Sequence, residues 1–143
     1  RISAGTYDFS RDEVLLFTSA RVYRYKVQAN SHRIIFHRDD ALPIHLQSAI
    51  VGAIYYQDNV HIVKATTLQS VDIGHFHKKS SERKLNQEFS GLLGSVKAAF
   101  THGYLHHFFT TDRLVYVWDE QFNRCETFAK PMENNWFACR KTK

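Results

Sequence analysis

Over the first forty residues apolar and polar positions alternate with the two-residue period of a half-buried strand. In RVYRYKVQ, from Arg21 to Gln28, the side chains of Tyr23, Tyr25 and Val27 share one face against Arg24 and Lys26. EVLLFTS before it, and HRIIFH after a turn at Asn30-Ser31, are equally rich in branched and aromatic residues, so three short strands are expected here. The period then changes. In DDALPIHLQSAIVGAIYY the apolar set Leu46, Ala49, Ile50, Ala53 and Ile54 follows helical spacing, with Pro43 suited to a first turn and Asp39 and Asp40 to its positive end. That spacing predicts a buried helix of about four turns. NVHIVKATT returns to strand character. From Ser81, SERKLNQEFSGLLGSVKAAF places Leu85, Phe89, Leu92, Leu93 and Val96 on one helical face, although Gly91 and Gly94 each cost about 1 kcal/mol relative to alanine. RLVYVW is apolar on both faces and reads as a central strand. QFNRCETF and NWFAC follow as strand-like pieces.

Strands, helix, strand, helix and a closing antiparallel meander are segregated elements, which indicates an α+β fold and not a doubly wound parallel sheet. The chain has 143 residues and two prolines, and shows no internal repeat, low-complexity tract or linker, so a single domain over residues 1–143 is expected. A hydrophobic fraction of 43% and a charged fraction of 23% argue against disorder. No apolar run approaches the roughly 20 residues of a membrane span, so no membrane insertion is expected. The first residue is Arg1, which suggests a processed or trimmed chain.

The formal charge of +5, with nine histidines in reserve, favours polyanions such as RNA, anionic membrane or acidic partner surfaces. The densest basic run, HKKSSERK from His77 to Lys84, reads as a solvated loop and helix start. Tyr23 and Tyr25, interleaved with Arg21, Arg24 and Lys26, are the best candidates for exposed aromatics that bind RNA bases or a protein. Most other aromatics are expected in the core. Cys125 and Cys139 flank a turn signal at Lys130–Asn134; a hairpin centred near Met132 would set them opposite one another, where a disulfide is feasible, and two free thiols are the alternative.

Motifs exclude the commoner chemistries. There is no phosphate-binding glycine loop, no His-Glu-x-x-His, no Gly-x-Ser-x-Gly and no zinc-type cysteine spacing. His75 and His77 could share a strand face, but two imidazoles without further ligands do not make a metal site, and neither metal nor cofactor is expected. General acid–base chemistry remains, concentrated in YLHHFFTTDRLVYVW, where His106, His107, Asp112 and Arg113 interrupt an apolar run.

This tail, TDRLVYVWDEQFNRCETFAKPMENNWFAC, resembles the C-terminal half of the fungal guanyl-preferring ribonucleases and sarcin-type ribotoxins. The matching elements are Asp112-Arg113, LVYVW, the turn at Asp119–Gln121, NNWFA and Cys139, with YLHHFF similar to the strand that carries the family's catalytic glutamate. The resemblance implies a microbial-ribonuclease-like fold, a helix packed on a central antiparallel sheet with an N-terminal β-hairpin. It makes Arg113 the phosphate-binding arginine, puts His107 at the glutamate position, and leaves Phe128 or Lys130 in the slot of the final catalytic histidine. The family's N-terminal cysteine is absent, so Cys139 would pair with Cys125. With its acid–base positions replaced, the chain looks like the ribonuclease-like secreted effectors of powdery-mildew fungi. That likeness implies a secreted, catalytically inactive monomer acting in host cytoplasm, with a host protein or RNA as partner and an intracellular immune receptor able to detect it. Two other readings stay open. One is an active ribonuclease or toxin in which His107 works with His61 or His75. In the other the tail resemblance is accidental and the chain is an unrelated binding domain, which a structure without a helix packed across a central sheet would favour.

Overall fold

The alternating N-terminal residues pair as their period requires. In a computed structural model describing residues 1–30, 33–43, 49–72 and 81–132, β1 (Ala4–Asp8), β2 (Glu13–Phe17), β3 (Arg21–Asn30) and β4 (Arg33–Pro43) form an antiparallel meander in chain order. β5 (Gly52–Tyr56), β6 (Asn59–Val63), β7 (Thr67–Ser70) and the two-residue β8 (Arg83–Lys84) form a second. β9 (Val96–His102), β10 (Leu105–Thr110), β11 (Leu114–Asp119) and β12 (Arg124–Pro131) form a third. β5 pairs in parallel with β9 through Gly52 and Ala99, which joins the last two units into one curled eight-stranded sheet. The first strand of each unit lies innermost: β1 packs on β5, β5 on β9, and β1 approaches β9. Four-stranded meanders gathered around their first strands are arranged as the blades of a β-propeller.

The core lies between blades. Leu15, Phe17 and Val22 of the first meet Ala53, Val60, Ile62 and Val71 of the second. Ile54, Tyr56, Val63 and Leu68 of the second meet Phe108, Tyr116 and Trp118 of the third, with Leu85, Phe89 and Leu92 inserted between them. A middle blade covered on both faces has no reason to alternate, and β5 is buried at four of its five positions.

The expected α+β fold is therefore corrected to a nearly all-β one. Among the described residues the one helix is a single turn, α1 (Leu85–Glu88), and no helix is long and apolar enough to cross a membrane. Ala53 and Ile54, assigned helical spacing above, sit side by side on β5, because a short apolar run buried on both faces mimics helical periodicity; Leu46 lies outside the described residues. Gly52 decides the geometry at that point. A Cβ there would lie 2.6 Å from the Ala99 amide nitrogen and 2.7 Å from its carbonyl oxygen, so only glycine lets the inner strands of two blades touch. The second expected helix ends after one turn: Phe89 leaves helical geometry at φ −115° and ψ 85°, Gly91 and Gly94 beyond it take φ of 93° and 83°, and Val96–His102 is strand.

A repeat that sequence inspection does not reveal is plain in the topology. The inner strands begin at Ala4, Gly52 and Val96, a period of about 45 residues, within the range of propeller blades. Each blade's first hairpin closes on a buried residue, Phe17, Val63 and Thr110, paired with the first residue of the inner strand, yet the three hairpins share little but their pattern of aromatic strand, polar turn and apolar strand.

Candidate ligand cleft

The residues expected to form a catalytic site do not converge. Arg113 occupies the turn between β10 and β11 at φ 63°, exposed; its N–H donates to the Thr110 carbonyl at 3.1 Å and its carbonyl accepts from the Met132 N–H at 3.0 Å. His107 lies in the middle of β10, buried, with its ring stacked on Phe100 at 4.5 Å and an interplanar angle of 4°. Roughly 10 Å of strand separates it from the turn that carries Arg113. Phe128 is 55% exposed on β12 and meets the edge of Tyr116, while Lys130 is exposed opposite Val115. His61 is buried in β6; its Nδ1 donates to the Asn59 carbonyl at 3.2 Å and its Nε2 accepts from Arg83 at 3.1 Å. Burial lowers its pKa to about 4, which fixes it as a neutral structural imidazole. His75, His77, Trp136 and Cys139 lie outside the described residues.

The β3 candidates divide. Arg21 and Lys26 are exposed, and Tyr23 and Tyr25 are half-buried opposite Leu16 and Val14. Arg24 turns to the other face, where its Nη2 and Nε donate to the two oxygens of Glu13 at 2.6 and 3.1 Å. Glu13 is only 2% exposed, so Arg24 neutralises a buried carboxylate and is not presented as a phosphate ligand. Cys125 is half-buried on β12, its thiol donating to the Thr127 carbonyl at 3.2 Å, and burial raises its pKa. Among the described residues no three His, Cys, Asp or Glu side chains gather as metal ligands would.

A different set does come together. The turns between the first and second strands of the three blades all fall at one end of the molecule, and with Glu120 after β11 they enclose a cleft of about 380 Å³. Phe9, Ser10, Tyr55, Asp58, Gly103, Tyr104 and Glu120 line it. The cleft opens because β5 and β9 touch at Gly52 and Ala99 and then part. By Tyr55 the backbone N–H donates to the Thr101 hydroxyl oxygen at 3.0 Å instead of to the neighbouring main chain. Local chemistry shapes each rim segment. Gln57 and Asp58 both take positive φ, 51° and 57°, as a two-residue type I′ turn demands. The buried carboxylate of Asp8 accepts from the Ser10 N–H at 2.9 Å and its hydroxyl at 2.6 Å, and Asp119 holds the turn that carries Glu120 by accepting from the N–H of Gln121 and Phe122. Phe9, 59% exposed, rests against Tyr55 at 5.3 Å; Tyr104, 63% exposed, stands on the third blade's turn.

Beneath the rim runs a continuous hydrogen-bond chain. A carboxylate only accepts, so His106 Nε2–H donates to Glu120 Oε2 at 2.6 Å; the neutral ring's Nδ1 then accepts from the Thr101 hydroxyl at 2.9 Å. The Gln57 N–H donates to the other Glu120 oxygen at 2.8 Å. His106 is 0% exposed, and burial depresses its pKa while Glu120 pulls the other way. The first histidine of the His-His pair is thus a strut that fixes a rim carboxylate. Burial, with the Asp8 and Asp58 charges, raises the Tyr55 pKa, and Tyr56 is pushed to about 12 chiefly by burial and by Glu88, with Glu120 adding to it.

Known structures place the fold. The chain is similar to a plant albumin from Cicer arietinum showing hemagglutination, with a TM-score of 0.61 and 13% identity over 94% of this chain and 69% of that one. A plant lectin with two metal binding sites, also from Cicer arietinum, gives 0.56 and 11% over the same shares. A 2S albumin seed protein from Dolichos gives 0.50 and 10%, covering 94% of this chain and 96% of that one. No family model matches, and no curated protein matches at the level of sequence. These likenesses show a shared all-β fold and overturn the resemblance to fungal ribonucleases and mildew effectors. What misled was a strand, a turn and a strand after Asp112-Arg113, an arrangement common to many antiparallel sheets. The cleft residues were missed because they come from turns and a strand scattered along the chain. The signal that would have found them is the recurring hairpin, in YDFSRDEVLLF, YYQDNVHIV and FTHGYLHHFF, which aligns Phe9, Asp58 and Tyr104 at equivalent ends.

Proposed function

We propose that the protein is a non-catalytic glycan-binding module whose ligand occupies the cleft at the hairpin end of the blades. One observation carries this reading: Phe9, Tyr55 and Tyr104 line one recess together with Asp58 and Glu120. A sugar ring offers an apolar C–H face to an aromatic ring and hydroxyls that donate to carboxylates, and the cleft supplies both. Its volume, about 380 Å³, lies within the roughly 300–1,000 Å³ of small-molecule sites. The hemagglutination of one structural neighbour and the lectin name of another support the reading. Of the expectations drawn from the sequence, the binding module without enzymatic activity carries into this proposal, as does secretion, since glycans are displayed largely outside cells. RNA is a poor occupant, because two carboxylates repel phosphate.

The test is retention on a panel of immobilised glycans. Wild type is expected to bind at least one class, and Tyr104→Ala, at an exposed position where substitution costs little stability, is expected to weaken binding about tenfold or more with an unchanged melting temperature. No retained glycan, or equal retention of the variant, contradicts the proposal.

A further inference from the structure

The donor and acceptor balance of the cleft narrows the ligand further. Among the described residues its lining contains two carboxylates and no Lys, Arg or His, in a chain of formal charge +5. Glu120 is held from below by His106 and the Gln57 N–H, so both oxygens keep a fixed direction while 27% of the side chain remains open to the recess. Ser10 commits its hydroxyl to Asp8. The hydroxyls of Tyr55 and Tyr104 offer one donor each against the four oxygens of the two carboxylates, so acceptors remain in excess and a ligand that satisfies them must bring donors; an ammonium brings three and no acceptor. Aromatic faces add to the same preference, since the ring quadrupole of Phe9, Tyr55 and Tyr104 attracts a cation within about 6 Å. Acidic sugars and sulfated or phosphorylated glycans meet like charge at Asp58 and Glu120.

We propose that the ligand is an oligosaccharide of amino sugars with free amino groups, a de-N-acetylated glycan, bound through its ammonium at Asp58 and Glu120 with a ring face on the cleft aromatics. The inference rests on the glycan-binding reading and specifies its chemistry. Four probes separate the two by calorimetric titration: the tetramer of β-1,4-linked glucosamine, its fully N-acetylated counterpart, cellotetraose, and spermidine as an amine without a sugar. The glucosamine tetramer is expected to bind about tenfold or more tightly than the two neutral tetramers, with an advantage that shrinks as salt screens the charges. Glu120→Gln and Asp58→Asn, which keep shape and turn geometry, are expected to remove the glucosamine tetramer's advantage over the two neutral tetramers. Equal binding of all three tetramers overturns the ammonium claim and leaves the glycan site standing. Spermidine binding as tightly as the glucosamine tetramer overturns the sugar. No binding by any tetramer overturns this inference and, with an empty glycan panel, the reading beneath it.

Discussion

Adjacent on β10, His106 and His107 project to opposite faces, one into the core between two blades against Glu120, the other onto the face of Phe100. That they would diverge was legible in the sequence, because strand side chains alternate. Their partners were not, because Thr101, Glu120 and Phe100 are brought by register and by a turn, which no local pattern encodes. With His61, three buried histidines have depressed affinity for a proton, His61 down to about 4. The unfolded chain titrates these groups near pH 6.5. Between that value and the folded one only the unfolded state takes up the proton, so stability is complete above about pH 6.5 and falls as pH drops. Each histidine contributes a slope of up to about 1.4 kcal/mol per pH unit. Urea denaturation at pH 7.5, 6.0 and 5.0 is expected to show this loss, and His61→Gln, which keeps an acceptor for Arg83, to make it shallower. Stability that rises on acidification would contradict the assignment of neutral, buried rings.

At the scale of elements, strands that alternate were readable and strands buried on both faces were not. β2 and β3 each have one covered face and keep a two-residue period, whereas β5, buried at four of five positions, lies where blades meet and its apolar run imitates a helix. The glycines held the missing information. Gly91 and Gly94 take positive φ just past the single helical turn, which bars a helix from running through them. Gly52 marks the contact between two inner strands, where a Cβ would meet the Ala99 backbone at 2.6 to 2.8 Å, and backbone cannot yield as a side chain can. Gly52→Ala is therefore expected to cost at least ~2 kcal/mol. Gly103→Ala, at φ 61° with nothing within 4 Å of the added methyl, carries only the strain of its dihedral, about 1 kcal/mol. Equal losses for the two in a denaturant titration would contradict the close approach of β5 and β9.

For the whole molecule, the decisive feature is a threefold repeat of a hairpin-led blade, carried by topology and barely by residue identity. Each blade places its first turn at the same end, so Phe9, Asp58 and Tyr104, far apart in the chain, become neighbours around one cleft. The sequence drew attention elsewhere, to Arg113 and His107, because chemically conspicuous residues crowd a short stretch there; the fold spends one in a turn and the other in a stack. The measurement that bears most directly on this account is a map of backbone amide NMR shifts on titration with a glycan retained by the panel. The account predicts that perturbed amides cluster at Phe9, Ser10, Tyr55, Asp58, Gly103, Tyr104 and Glu120. Perturbations gathered instead on the Tyr23 and Tyr25 face of β3, or around Arg113, would place the binding site elsewhere and contradict it.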